Sequence, residues 1–342
     1  MGPVVVLLLS DGIPGHFRQS EGVVAAIARH RAVTVHRIEL PPPSALGRVA
    51  MNLLAPSLPS LFPDLVTFAG RALPPRPVHL VVSAGGRTLA ANVRAGRIYG
   101  CPNVFSGSPR RFGYSAFARV LQIYPMADPP PSYRLVLKPS PVDPGAAPLP
   151  RDLKERTAAA PARVAMLVGG PVPHAAFADP DWRALAHLMR ATAATRAVRF
   201  VLSTSRRTPD AALAVFEEIA RDPDVVAEWI DWRTAGPGSI ARALSADAVA
   251  VTADSMSMIS EAVAMRRPTV VLDPAVRRPS RDDAALSPLV EAGAVRVLPI
   301  TGATPETFLA GLEAAMPLQG NPLDALHAAL VDLLPPDGGD VR

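Results

Sequence analysis

Cysteine occurs once, at Cys101, which excludes a disulfide framework within the chain and fits a reducing compartment. Its neighbours Pro102 and Asn103–Phe105 read as a strand edge, so a packing role is expected for the thiol. Lysine is almost as scarce. All but two of the 35 basic residues are arginine, the exceptions being Lys138 and Lys154, and no arginine run exceeds two. A net charge of +5 over 342 residues is too dilute for a nucleic-acid surface, while anionic substrates or an anionic membrane face stay open. Long apolar runs are missing as well. The first, Val4–Leu9, has strand length and no basic leader, far short of a membrane span. Myristoylation is disfavoured, because Pro3 follows Gly2 and Val6 stands where Ser or Thr is required. No His/Cys cluster has zinc spacing. These absences predict a cytoplasmic protein, at most peripheral to the inner membrane, with no nucleic-acid partner.

Hydrophobic content of 49% against 19% charged predicts well-buried cores, and the length predicts two domains. Apolar runs at Val4–Leu9, Val33–Leu40 and His79–Ser83 alternate with turns and helical periodicity. That is the pattern of a parallel sheet covered on both faces. Six prolines between 139 and 161 mark a linker. A second strand–turn–helix series follows: strands at Arg163–Val168, Val198–Thr204, Val225–Ile230, Ala248–Thr252 and Thr269–Leu272, and helices at Trp182–Ala194 and around Met258–Met265. The expected architecture is α/β, with two Rossmann-like, doubly wound domains and ligand binding at the carboxyl ends of their strands, in a cleft. The domains would be 1–150 and 151–320, followed by a helix and tail over 321–342. The apolar, Pro-broken stretch Ala45–Leu73 reads as core, with a membrane- or acceptor-facing patch as the alternative.

The strongest local signal is Thr252–Ala262, where Asp254, Ser255 and Ser257 lie between a buried strand and a helix. Free amides and the helix dipole favour a phosphate there. Glu261, on the same face as Ser257, is placed to reach a ribose hydroxyl; the alternative is an ordinary capped helix with Glu261 solvated. Gly169-Gly170 and Ser205-Arg206-Arg207-Thr208 follow two other strands of the same half, so three ligand-suited turns share one sheet edge. In the first half Asp11-Gly12-Ile13-Pro14-Gly15-His16 lacks the third glycine of a dinucleotide fingerprint, which demotes a nicotinamide dehydrogenase. His16 there is either a general base oriented by Asp11 or a plain surface histidine. Ala84-Gly85-Gly86-Arg87 is a further turn of this kind. Asp179/Asp181 and Asp222/Asp224 have the spacing of metal-binding pairs but flank helix boundaries, where Asp and Pro are ordinary caps. No metal is expected.

These residues resemble the mitochondrial-fission type family of bacterial and plant glycosyltransferases, named after the elongated-mitochondria plant protein. Asp11, Gly12, Gly15, His16 and Gln19 fit its opening motif. Gly169–Pro171, Ser205–Pro209 and Thr252–Ala262 fit three more in order. The chain departs from the family pattern at Ile123–Asp128, where a Pro-x-His-Asp segment is usual, and near Gly236–Ser239, where an Asn-Pro-Tyr is absent. More distantly it is similar to the peptidoglycan GlcNAc transferases. The resemblance implies a GT-B fold and a nucleoside-diphosphate-sugar donor, with no metal or other cofactor. It implies a glycine-rich first loop holding a histidine base, a late glutamate on the donor ribose, and a glycan or lipid-linked acceptor. A nucleotide-sugar epimerase and a non-catalytic scaffold with the same fold are the alternatives.

Overall fold

The computed structural model describes residues 2–42, 67–68, 70–236 and 238–336. The chain divides into two compact units, Met1–Pro141 with Pro322–Arg342, and Val142–Asn321.

The first unit begins with β1 (Val4–Ser10), α1 (Pro14–Ala28) and β2 (Val33–Glu39). It continues with β3 (Leu80–Ala84), α2 (Leu89–Tyr99), β4 (Asn103–Ser106), β5 (Arg119–Gln122) and β6 (Tyr133–Leu135). Its sheet runs β2-β1-β3-β4-β5-β6, and every pairing is parallel. β1 is buried almost throughout, as an inner strand covered on both faces must be, which is why it reads as an unbroken apolar run. The chain winds from β1 to β2 on one side and returns to β3 on the other. The carboxyl ends of β1 and β3 therefore flank the switch point where α/β sheets bind ligands.

The second unit repeats the scheme with β7 (Ala162–Leu167), β8 (Ala175–Ala176), α3 (Asp179–Thr195), β9 (Val198–Ser203), α4 (Asp210–Ile219) and β10 (Val226–Ile230). Then come α5 (Ser239–Leu244), β11 (Ala248–Thr252), α6 (Met256–Ala264), β12 (Thr269–Asp273), β13 (Val276–Arg277), α7 (Arg281–Glu291), β14 (Val295–Pro299) and α8 (Pro305–Ala314). Its sheet runs β10-β9-β7-β11-β12-β14, again parallel throughout. The switch point lies between β7 and β11. The two parallel α/β units expected from the sequence are thus both present.

Two strands of the first unit, β5 and β6, have no counterpart in the sequence reading. β5 carries Arg119 and Gln122, both buried, and that polarity hides a four-residue strand from any hydrophobicity pattern. From Pro148 onward the Pro-rich stretch is fastened within the second unit, while Pro139 and Ser140 lie against Gly22 of the first. Buried Arg267 donates to the carbonyls of Pro148 at 2.6 Å and Leu244 at 3.2 Å, and Asp247 accepts from the Arg151 and Arg163 amides. Of the stretch 45–73, residues 45–66 and 69 lie outside the described residues; Phe68 is buried against Leu7, Leu9 and Ile38. No described helix is long and apolar enough to cross a membrane. Cys101 is half-buried, and burial pushes its thiol up to about 11, so it stays protonated near neutrality.

The chain's last described segment completes the first unit's core. From α9 (Pro322–Ala328) onward, Leu323, Leu326, Leu330 and Leu334 pack with Val4, Val6, Val23 and Ile27. Around this apolar contact, buried Arg119 donates to the Ala329 carbonyl at 3.0 Å and to the Asp332 carboxylate. Arg29 donates to Asp324 at 2.8 Å. Hydrogen bonds from Arg119 and from Arg29 hold the Asp332 and Asp324 carboxyls below their usual range. A depressed carboxylate stabilises the fold above its unfolded pKa, about 3.9, and that contribution is lost as pH falls through the lower folded value. Hydrogen exchange between pH 6 and pH 3 should therefore show this segment losing protection on acidification. Protection that is independent of pH over that range would refute the assignment.

Candidate functional site

In the first unit the site starts from the end of β1. Asp11 is buried, and its carboxylate accepts from the Ile13 amide at 3.2 Å and from His16 Nδ1 at 2.9 Å. Pro14 opens α1 with its φ already helical, which sets His16 in the first turn, directly over Asp11. A carboxylate only accepts, so Nδ1 donates to it, and in the neutral ring Nε2 then carries the lone pair, with the imidazole side chain 35% exposed. Gly85, at the end of β3, has φ +89, and a Cβ there would lie 2.2 Å from His16 Nδ1 and 2.6 Å from Asp11 Oδ2. Glycine at this position is thus what admits the pair. Gly12 takes φ +75 at the turn itself, while Gly15 is exposed. Gln19 accepts from Ser106 Oγ at 3.0 Å and donates to the Gly15 carbonyl at 3.2 Å, tying α1 to the end of β4. Gly86 is half-buried and Arg87 exposed in the same turn as Gly85.

The three turns of the second unit are locked together. The Gly169 amide donates to Thr252 Oγ1 at 2.8 Å, and the Gly170 amide to Asp254 Oδ2 at 3.2 Å. Thr252 Oγ1 donates to Asp254 Oδ1 at 2.6 Å, and Arg207 Nη2 to Asp254 Oδ2 at 2.5 Å. Thr208 donates to the Gly169 carbonyl at 2.7 Å. A Cβ on Gly170 would lie 1.9 Å from the Arg207 carbonyl oxygen, so only glycine allows the turns after β7 and β9 to approach this closely. Asp254 thus serves as the fastener of the site, its carboxylate accepting from three protein donors. Ser205 Oγ accepts the Arg207 amide at 3.2 Å, and both arginines are exposed. Ser255 caps α6, with Ser257 in its first turn and Glu261 buried one turn further on.

The structure thus brings Asp11, Gly12, His16, Gln19, Gly85 and Gly86 to one sheet edge. Gly169, Gly170, Ser205–Thr208 and Asp254–Ser257 come to the corresponding edge of the other unit. The reading of single motifs missed Thr252 as a hub, although a Thr ending a buried strand is a signal, and Ser106 as the partner of Gln19. It also missed Asp273, at the end of β12, whose carboxyl burial raises above its ordinary value against the pull of Arg277. Three of the four spaced aspartates are otherwise engaged, and Asp179 is exposed at the start of α3. Asp181 accepts from the Ala178 and Ala275 amides, Asp222 from the Asp224 amide, and Asp224 pairs with Arg199. Among the described residues no group of three or more His, Cys, Asp or Glu side chains is arranged to hold a metal.

The family model for mitochondrial fission ELM1 matches residues 14–325. The chain belongs to that family. No curated protein matches its sequence. Solved structures similar to this ELM1-family chain include MurG of Acinetobacter baumannii, at 15% identity and a TM-score of 0.52, covering 96% of this chain and 99% of that one. The glycotransferase of kitacinnamycin matches at 16% identity and a TM-score of 0.51, covering 97% and 96%. The UDP-GlcNAc 2-epimerase of Neisseria meningitidis, bound to UDP-GlcNAc, matches at 13% and 0.52, covering 96% and 98%. At such identities the likeness carries the fold, which in this ELM1-family chain is the two-unit GT-B type that the resemblance implied.

Proposed function

We propose that the chain transfers a sugar from a nucleoside-diphosphate sugar to a glycan or lipid-linked acceptor, with inversion and without a metal or other cofactor. The observation that carries this reading is the His16–Asp11 pair at the first unit's switch point. Asp11 fixes the proton on Nδ1, so Nε2 takes the proton of the acceptor hydroxyl as its oxygen bonds to the anomeric carbon. The bond from that carbon to the diphosphate oxygen breaks in the same displacement, which inverts the centre. The leaving diphosphate is held by Arg206, Arg207 and the amides behind Ser255, with the ribose at Glu261; the Gly169–Gly170 turn expected to grip it instead packs behind these groups, its amides already given to Thr252 and Asp254. Backbone amides and guanidinium groups supply the stabilisation that a cation otherwise would. The fold's occurrence in a protein bound to UDP-GlcNAc makes UDP sugars the first donors to test.

A thermal-shift panel of nucleotide sugars, followed by mass analysis of products, tests the reading, since a ligand bound only by the native state raises its melting temperature. Arg207→Ala should weaken nucleotide binding more than about tenfold, the scale of one charge-assisted contact. Unchanged affinity in both Arg206→Ala and Arg207→Ala would remove the diphosphate from these turns. Turnover should survive EDTA; loss of activity reversed by magnesium or manganese would overturn metal independence. A product of unchanged mass formed without acceptor would identify an epimerase, and binding with no turnover a scaffold.

A further inference from the structure

We propose that Arg110 binds an oxyanion carried by the substrate that meets His16, so that the acceptor is a phosphate- or carboxylate-bearing molecule rather than a neutral alcohol. This deepens the transfer reading and rests on it for the word acceptor; the anion site itself stands on geometry alone.

The backbone gives the first observation. Only Arg110 and Arg266, among the described non-glycine residues, take positive φ, at 51° and 56°. For Arg266 the end of α6 explains it, because a left-handed residue commonly terminates a helix, and its side chain donates to the Leu318 carbonyl. Arg110 has no such cause. It opens the short 3-10 turn Arg110–Phe112 after β4, in a conformation that costs a side-chain-bearing residue about 1–2 kcal/mol. Such outliers collect where a binding group must be held in one place.

The second observation is where the side chain goes. A Cβ built on Gly86 would lie 2.5 Å from Arg110 Cζ and 2.7 and 2.8 Å from its terminal nitrogens. The guanidinium therefore occupies the seat left by a missing side chain. On the adjacent residue, Gly85, the corresponding seat holds the His16 imidazole. Neighbouring Cα atoms are about 3.8 Å apart, so a cation and a base flank successive residues of one turn.

The third observation is the charge balance. Among the described residues no carboxylate lies within ion-pair reach of Arg110. The nearby Asp11 is buried and already accepts from His16 and Ile13. Arg110 is exposed, which leaves its planar donors to a ligand, and that fork matches carboxylate and phosphate oxygens bidentately. An acceptor with an oxyanion on Arg110 would have a nearby hydroxyl positioned at His16 Nε2.

The test uses the full chain and two probes, inorganic phosphate and acetate, read at the His16 ring resonances by NMR at fixed pH. Those resonances are assigned with His16→Gln, so anion binding elsewhere does not contribute. Wild type should show a saturable shift, and the probe active at lower concentration identifies the source as phosphate or carboxylate. Arg110→Gln should weaken the response at least about tenfold, as loss of a charge-assisted pair implies, and Arg110→Lys should restore part of it. Melting curves confirm that both variants are folded. No shift with either anion, or an equal response in folded Arg110→Gln, would overturn the proposal. Nucleotide binding measured on the same samples reports separately on the donor site.

Discussion

His16→Ala should lower turnover by about 10² to 10⁴, the usual worth of a positioned base, and leave donor affinity nearly unchanged. The split is expected because the donor's proposed contacts all lie in the second unit. The loss arises at one atom. In the neutral ring Nε2 carries the lone pair because Nδ1 donates to Asp11 at 2.9 Å, and alanine removes it. Asp11→Asn should give a smaller loss, since an amide can still meet the ring but no longer dictates which nitrogen holds the proton. Steady-state kinetics with donor binding measured in parallel checks this. Full turnover in His16→Ala would transfer the base role to Asp11, and lost donor binding in a folded variant would make His16 a binding residue.

Asp254→Ala should be the most disruptive substitution in the second unit. Its side chain is fully buried and accepts from Thr252, Gly170 and Arg207. Alanine leaves the buried Gly170 amide without an acceptor and the Thr252 hydroxyl with only the Leu167 carbonyl at 3.5 Å, where an unmet buried group costs about 1–3 kcal/mol. A loss of about 3 kcal/mol is expected, with Arg207 adding little because its side chain is 44% exposed. The same variant should bind nucleotide far more weakly than Arg207→Ala alone, because the three turns then separate. Chemical denaturation and calorimetry together decide it. A variant with wild-type stability would show that the turns hold one another without this carboxylate.

The strands that carry the site were legible because inner parallel strands must be apolar throughout, as Val4–Leu9 and Ala248–Thr252 are. The turns behind them were legible because glycine, serine and arginine punctuate the ends of those runs. What the sequence could not convey is contact across distance. That Gly170 exists to let the Arg207 carbonyl approach, or that Gly86 is the seat of Arg110, depends on neighbours supplied by other strands. Asp254 shows the same limit. Its position at a helix start reads as a ligand contact, and only the packed turns reveal three protein donors on its carboxylate. β5 stayed hidden because its Arg119 is buried for the sake of Asp332, more than two hundred residues later.

That same return of residues 322–334 to the first unit has a consequence for synthesis. The second unit is one continuous segment, and its core draws on no residue of the first. The first unit, although made earlier, waits with Val4, Val23 and Ile27 uncovered until the final helix emerges. Domains generally mature in the order they are translated. Here the unit bearing His16, although it begins first, cannot complete its core until residues beyond the second unit have been made.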